Sequence, residues 1–132
     1  MVSLSFTSLV VEDPARSANF YQEVFDLLEV SELTSKWFRG LWIGPTVLGF
    51  SHPEAYELLG LDDPGRQARD VRTFLTMEAD SDDQVDHLTQ KATSLGAALL
   101  SRPARTYYGA WQSVLLDADG HAFRIDHLPL GS

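Results

Sequence analysis

The sequence predicts an α+β fold in which two βαβββ modules follow one another within a single domain. Three observations carry this reading. Each half opens on an apolar, β-branched segment that runs straight into a helix-start signal. Each helix pattern is followed by three short strand candidates, and a polar stretch with Pro53, Pro64 and Gly65 separates the halves. The 132 residues fall below the roughly 150 of an average domain. With 44% hydrophobic and 22% charged residues, the chain has apolar sequence enough for a proper core. The modules span residues 1–52 and 70–132, with a linker over 53–69. What repeats is the pattern, since identity between the halves is low.

In chain order, Leu4 to Val11 reads as the first strand. Asp13-Pro14 then supplies an N-cap and a proline at the first helical position, where a missing N–H costs nothing. Phe20, Val24 and Leu27 share a stripe flanked by Tyr21, Phe25 and Leu28, which predicts an amphipathic helix with a wide buried face. Val30 to Trp37, Arg39 to Ile43 and Pro45 to Ser51 are the three strands that follow, punctuated by Gly40 and Gly44. Glu54 to Leu59 can form a short helical turn before the polar Asp62-Asp63-Pro64-Gly65. The second half repeats this order. Val71 to Ala79 is a strand, and Ser81-Asp82-Asp83-Gln84 is a capping box with acids in the first turn. Val85, Leu88, Ala92 and Leu95 share one helical face that Gly96 terminates. Ala97 to Leu100, Gln112 to Leu116 and Ala122 to Ile125 complete the set, the last two joined by a hairpin turn at Asp119-Gly120.

Composition excludes several function classes. Nineteen acidic residues stand against ten basic ones, a formal net charge of −9, so the chain offers no basic footprint for nucleic acid or anionic lipid. It contains no cysteine, which removes disulfides, thiolate zinc sites, iron–sulfur clusters and cysteine nucleophiles together. Met1 to Ser5 carries no basic region and no apolar run follows, so neither a signal peptide nor a membrane span is expected, and a cytoplasmic location is. No glycine-flanked serine elbow or glycine-rich phosphate loop is present. Asp117-Ala118-Asp119-Gly120 lacks the further oxygen ligands of a calcium loop and reads as a turn. His52, His87, His121 and His127 fall on different segments and read as solvated or edge histidines.

Two segments resemble a known family. SLVVEDPARSANFYQEVFDLLEV is similar to the opening strand and helix of the vicinal oxygen chelate superfamily, which includes glyoxalase I, bleomycin-resistance proteins and extradiol dioxygenases. YYGAWQSVLLDADGHAFRIDHLP resembles that superfamily's closing hairpin. Ala118 stands where the turn usually has proline, and Leu27 where the helix usually ends on glycine. The resemblance implies that paired βαβββ modules form a curved sheet around a central cavity. It also places the usual metal-ligand positions, one per strand on four strands, at Phe6, Gly49, Phe74 and Arg124. Two phenyl rings, a glycine and a guanidinium cannot ligate a divalent cation, so a member without the usual metal, and without a cofactor, is expected.

Aromatic residues gather where the resemblance puts the strands and loops that line or lid the cavity: Trp37, Phe38 and Trp42 in the first module, Tyr107, Tyr108 and Trp111 in the second. Together with Phe6, Gly49, Phe74 and Arg124 they suggest an apolar site for a planar aromatic ligand bearing an acidic group. They fill a core or a dimer interface equally well as single residues. Arg124 has two candidate partners, Asp126 two residues on or an acidic oxygen of the ligand. Three functions stay open: a metal-independent binding protein of the drug-sequestering kind, a metal-independent enzyme, and a metal-dependent lyase, isomerase or dioxygenase with displaced ligands. The missing ligands weigh against the third. For proton transfer the candidates are Tyr107, Tyr108, Glu78 and Asp126. A homodimer is expected, because the family commonly pairs its modules and so many aromatics leave apolar surface to cover.

Overall fold

In the computed structural model, which describes residues 1–65 and 71–130, all but one of the expected elements form. The last residues of the linker, 66–69, lie outside the described residues. The chain divides into two compact units, residues 1–68 and 69–132.

In the first unit β1 (Phe6–Val10) leads into α1 (Pro14–Phe25), followed by β2 (Phe38–Ile43), β3 (Thr46–Ser51) and the short α2 (Glu54–Leu58). The strands order β1-β3-β2, with β1 parallel and β2 antiparallel to β3. Alternation decides which side chains meet the helix. Leu9, Leu41, Leu48 and Phe50 face α1 and are buried, as is Val11 just beyond β1. From the helix come Ala18, Tyr21 and Val24, with the Tyr21 ring stacked 5.2 Å from that of Phe50. Asp13 caps α1 by accepting the Arg16 N–H, and Pro14 takes the first turn.

Two expectations are corrected here. Val30 to Trp37 is not a strand. Ser31–Leu33 makes a single 3₁₀ turn, and only Glu29 bridges to Leu41 beside β2. The reason is local: the Thr34 hydroxyl bonds the Glu29 carboxylate, the Trp37 N–H donates to the Ser35 hydroxyl, and Ser35 N–H returns to the Phe38 carbonyl. Such short-range Ser/Thr bonds draw the backbone away from a ladder. The helix also ends at Phe25, short of the Leu27 and Leu28 in its expected apolar stripe. Asp26, not Leu27, adopts the left-handed conformation at φ 55° and ψ 56°, which a short polar side chain tolerates.

The second unit is a complete βαβββ: β4 (Phe74–Glu78), α3 (Asp82–Ser94), β5 (Ala98–Arg105), β6 (Trp111–Leu116) and β7 (Ala122–His127). The sheet order is β4-β7-β6-β5, with β4 parallel to β7 and the other pairs antiparallel. Leu115, Phe123 and Ile125 pack with Val85 and Ala92 of α3, and a buried Thr89–Ser113 hydroxyl bond of 2.7 Å ties helix to sheet. Asp117 substitutes for the missing turn proline: its side chain accepts the N–H groups of Asp119 and His121, both at 2.9 Å. Among the described residues no helix is long and apolar enough to cross a membrane.

Candidate functional site

The sheet face of the second unit turned away from α3 carries its charged chemistry. Phe74, Thr76 and Glu78 of β4, Arg124 and Asp126 of β7, and Gln112 and Val114 of β6 share that face by strand alternation. The register sets Thr76 beside Arg124 and Glu78 beside Asp126. The hairpin loop after β5 adds Tyr108. That loop turns through Gly109 at φ 91° and is closed by the Thr106 N–H on the Ala110 carbonyl at 2.8 Å.

These neighbours hold Arg124 with neutral groups. Its Nε donates to Thr76 Oγ1 at 2.7 Å, and its Nη1 to Tyr108 Oη at 3.0 Å and Gln112 Oε1 at 3.1 Å. The Tyr108 hydroxyl donates in turn to Gln112 Oε1 at 2.7 Å, and the guanidinium lies 5.0 Å above the Phe74 ring. Among the described residues no side chain engages Nη2 and no carboxylate is within ion-pair distance. Asp126 is therefore not the salt-bridge partner that sequence offered. It stands with Glu78 instead. Asp126 is only 2% exposed, and its Oδ1 has no hydrogen-bond partner. Burial first, then the hydrogen bond and charge of Glu78, push its carboxyl above the usual carboxylate range, while Arg124 and His127 pull more weakly the other way. The Leu128 N–H donates to Glu78 Oε2 at 2.7 Å.

The structure does not bring Trp111 to this face. In β6 and β7, Val114 lies opposite Arg124, so Trp111 alternates to the α3 side with Ser113 and Leu115. There its indole N–H donates to Asp86 at 2.7 Å and Arg105 lies 5.2 Å over its ring, beside a groove lined by Thr89, Leu99 and Pro103. Tyr107 packs edge-on against Tyr108 at 5.0 Å but is otherwise fully exposed.

In the first unit Phe6, Ser8, Gly40, Trp42, Val47 and Gly49 lie on the sheet face away from α1. Gly49 presents no surface. A Cβ there would meet the Phe38 ring at 2.7 Å and Ser8 Oγ at 2.9 Å, and one at Gly40 would meet Val47 at 2.9 Å. Phe38 thus fills a trough that the two glycines leave, with its ring 6.3 Å from that of Phe6. Gly49→Ala is expected to cost about 1–3 kcal/mol by overpacking, measured by urea unfolding. The double variant with Phe38→Ala should recover part of that loss, whereas a neutral Gly49→Ala would mean the trough is open. Trp37 precedes β2 and belongs elsewhere: its ring is edge-on to His52 at 4.9 Å, with the Lys36 ammonium 4.7 Å above it.

A divalent metal does not fit the positions the resemblance implied. Gly49 is filled over by Phe38, Arg124 is committed to Thr76, Tyr108 and Gln112, and Phe6 and Phe74 bring no donor atom. Among the described residues no three His, Asp or Glu side chains are grouped to hold an ion. Sequence reasoning missed Thr76 and Gln112, and named Phe38 as a cavity aromatic without its role of filling over Gly49. The Asp-Gly hairpin held the signal for Gln112, since it fixes which residues of β6 share a face with Arg124.

Comparison with known proteins places this geometry. The family model described as Glyoxalase/Bleomycin resistance protein/Dioxygenase superfamily matches residues 3–125. A crystal structure of a glyoxalase/bleomycin resistance protein/dioxygenase family enzyme from Burkholderia phytofirmans is similar at 34% identity and a TM-score of 0.91, covering 97% of this chain and 100% of that one. A glyoxalase-related enzyme from Fulvimarina pelagi shares the fold at 20% identity and a TM-score of 0.86, covering 100% and 94%. So does a fosfomycin resistance protein from Mesorhizobium loti, at 19% identity and 0.73, covering 98% and 96%. Comparison with curated protein sequences gives no match.

Proposed function

Because the chain belongs to the Glyoxalase/Bleomycin resistance protein/Dioxygenase superfamily, we propose that it is a metal-independent small-molecule binding protein of that type, taking a planar aromatic ligand through an acidic group at Arg124. One observation carries the reading. Arg124 is half-buried and held only by neutral partners, with Nη2 unengaged among the described residues. A half-buried guanidinium without an ion-pair partner among the described residues favours an incoming carboxylate or phosphate oxygen, which its planar fork receives with charge-assisted hydrogen bonds. Phe74 and Tyr108 flank it and supply aromatic surface for a ring. Trp111, turned toward α3, leaves the proposed site.

The test is a calorimetric titration of benzoate and benzamide, two ligands of like shape, into the protein and its Arg124→Ala variant. Benzoate is expected to lose affinity on removal of Arg124 while benzamide does not, and Trp111→Ala should leave both unchanged. Equal losses for the two ligands would overturn the reading. An enzyme of the same superfamily, a lyase or isomerase, is the second reading. It is favoured by the buried Asp126 beside Glu78, a carboxyl group whose raised proton affinity suits acid–base work.

The chain is further proposed to pair with a second copy. Phe6, Trp42 and Phe74 are 44%, 42% and 56% exposed on open sheet faces, apolar surface that a partner would cover. Light scattering should then give twice the 14.7 kDa chain mass, and a 14.7 kDa particle throughout the micromolar range would contradict the pairing.

A further inference from the structure

We propose that Arg105 is a positioning residue for the Arg124 site: from the opposite side of the sheet it holds the Tyr107–Gly109 turn so that the Tyr108 hydroxyl stays on the Arg124 guanidinium. The proposal rests on the reading of Arg124 as the acid anchor and extends it to what keeps that anchor aimed at a ligand.

Arg105 ends β5 opposite Trp111, which puts it on the α3 side, whereas Tyr108 reaches over the other face to Arg124. The Arg105 guanidinium is fixed from three directions. Its Nη2 pairs with Asp82 Oδ2 in the first turn of α3, it lies 5.2 Å over the Trp111 ring, and its Nη1 donates to the Gly109 carbonyl at 3.2 Å. Asp82 is itself anchored, since its Oδ1 lies 3.0 Å from His127 Nδ1 at the end of β7. The hydrogen bonds of His127 and then of Arg105 hold the Asp82 carboxyl below the usual carboxylate range, so it is ionised at neutral pH and keeps its grip on Arg105. Arg105 thus ties the first turn of α3 to the tip of the loop. Its planar fork can serve both acceptors at once, which the compact ammonium of a lysine does not match.

The loop needs that tie. Thr106 closes its base: the Thr106 N–H donates to the Ala110 carbonyl at 2.8 Å, and the Thr106 hydroxyl accepts the Ala110 N–H at 2.9 Å. The tip is looser, with Tyr107 fully exposed and Gly109 at φ 91°. Among the described residues no group besides Arg105 donates to the Gly109 carbonyl. Arg105 therefore fixes the peptide next to Tyr108, and the Tyr108 hydroxyl accepts Arg124 Nη1 at 3.0 Å. The consequence for the site follows from charge. With Tyr108 in place, Arg124 stays on neutral partners; with the loop released, the Glu78 and Asp126 carboxyls of the same face compete for the guanidinium. Holding the anchor in its binding geometry removes the cost of ordering it when the ligand arrives.

The test is a calorimetric titration of benzoate into the protein and its Arg124→Ala, Arg105→Lys, Tyr108→Phe and Arg105→Lys/Tyr108→Phe variants. Arg105→Lys keeps the charge beside Asp82 and gives up the fork. It is expected to weaken benzoate about 5-fold, the scale of one hydrogen bond, and to leave the urea unfolding curve near that of the parent. The double variant should bind no more weakly than Tyr108→Phe alone, because Arg105 acts through that hydroxyl. In the ligand-free protein the Arg124 Nε–H resonance should move on Arg105→Lys, although the two side chains lie on opposite sides of the sheet. If benzoate ignores Arg124→Ala, the acid anchor fails and this inference with it. If benzoate depends on Arg124 but Arg105→Lys costs nothing, or its loss persists in full beside Tyr108→Phe, the positioning role is overturned and the anchor stands. An unmoved Arg124 resonance would overturn it equally.

Discussion

Phe50→Ala is expected to destabilise the protein by about 3–5 kcal/mol, the range for truncating a fully buried aromatic core residue. Phe50 is 0% exposed, stacks on Tyr21 of α1, and lies between the Leu9 and Arg39 positions of the neighbouring strands. Its loss opens a cavity under the helix that the rigid three-stranded sheet cannot collapse to fill. Against a typical total of about 5–15 kcal/mol, that leaves the first unit marginal. Phe6→Ala, on the opposite face and 44% exposed, should cost less than about 1 kcal/mol. Urea unfolding of both variants checks the face assignment, and equal losses would show it to be wrong.

Arg124→Ala is expected to weaken aromatic acids by roughly 10- to 150-fold, the equivalent of about 1.5–3 kcal/mol for a hydrogen bond to a charged group. The loss should be selective because the guanidinium contributes charge and the neighbouring rings contribute shape. Without Arg124 the Thr76 hydroxyl and the Tyr108–Gln112 pair stay accessible to water, so the fold should tolerate the change. Isothermal titration gives the ratio directly.

Much of the fold was legible because its signals are local. Asp13-Pro14 and Ser81 to Gln84 start helices where caps and first turns demand them, and the Leu9/Val11 alternation assigns the buried face of β1. The failures share a cause as well. Val30 to Trp37 has strand-like residues at its ends, but Ser31, Thr34 and Ser35 satisfy the backbone locally, and β-propensity alone does not weigh that competition. The stripe through Leu27 and Leu28 overran the helix, which ends at Phe25, because the left-handed cap is an aspartate, a weaker marker than glycine.

For the site, Arg124 was legible as a charge on the last strand, but its partners depend on register across three strands. Nearness in sequence grouped Trp111 with Tyr108, although the first sits on a strand facing α3 and the second on a loop reaching over the other face. Gly49 entered the candidate site only because the resemblance puts a metal-ligand position there. Phe38, eleven residues earlier and antiparallel, supplies the ring that fills it. Such long-range filling has no signature in either segment alone.

The most direct test of the Arg124 anchor is a crystal structure of the protein grown with benzoate. The account predicts the carboxylate within hydrogen-bond distance of Arg124 Nη2, with Arg124 still held by Thr76 and Tyr108 and the ring against Phe74 or Tyr108. Benzoate bound elsewhere, with the Arg124 guanidinium turned onto Asp126 or Glu78 as an internal ion pair, would contradict it.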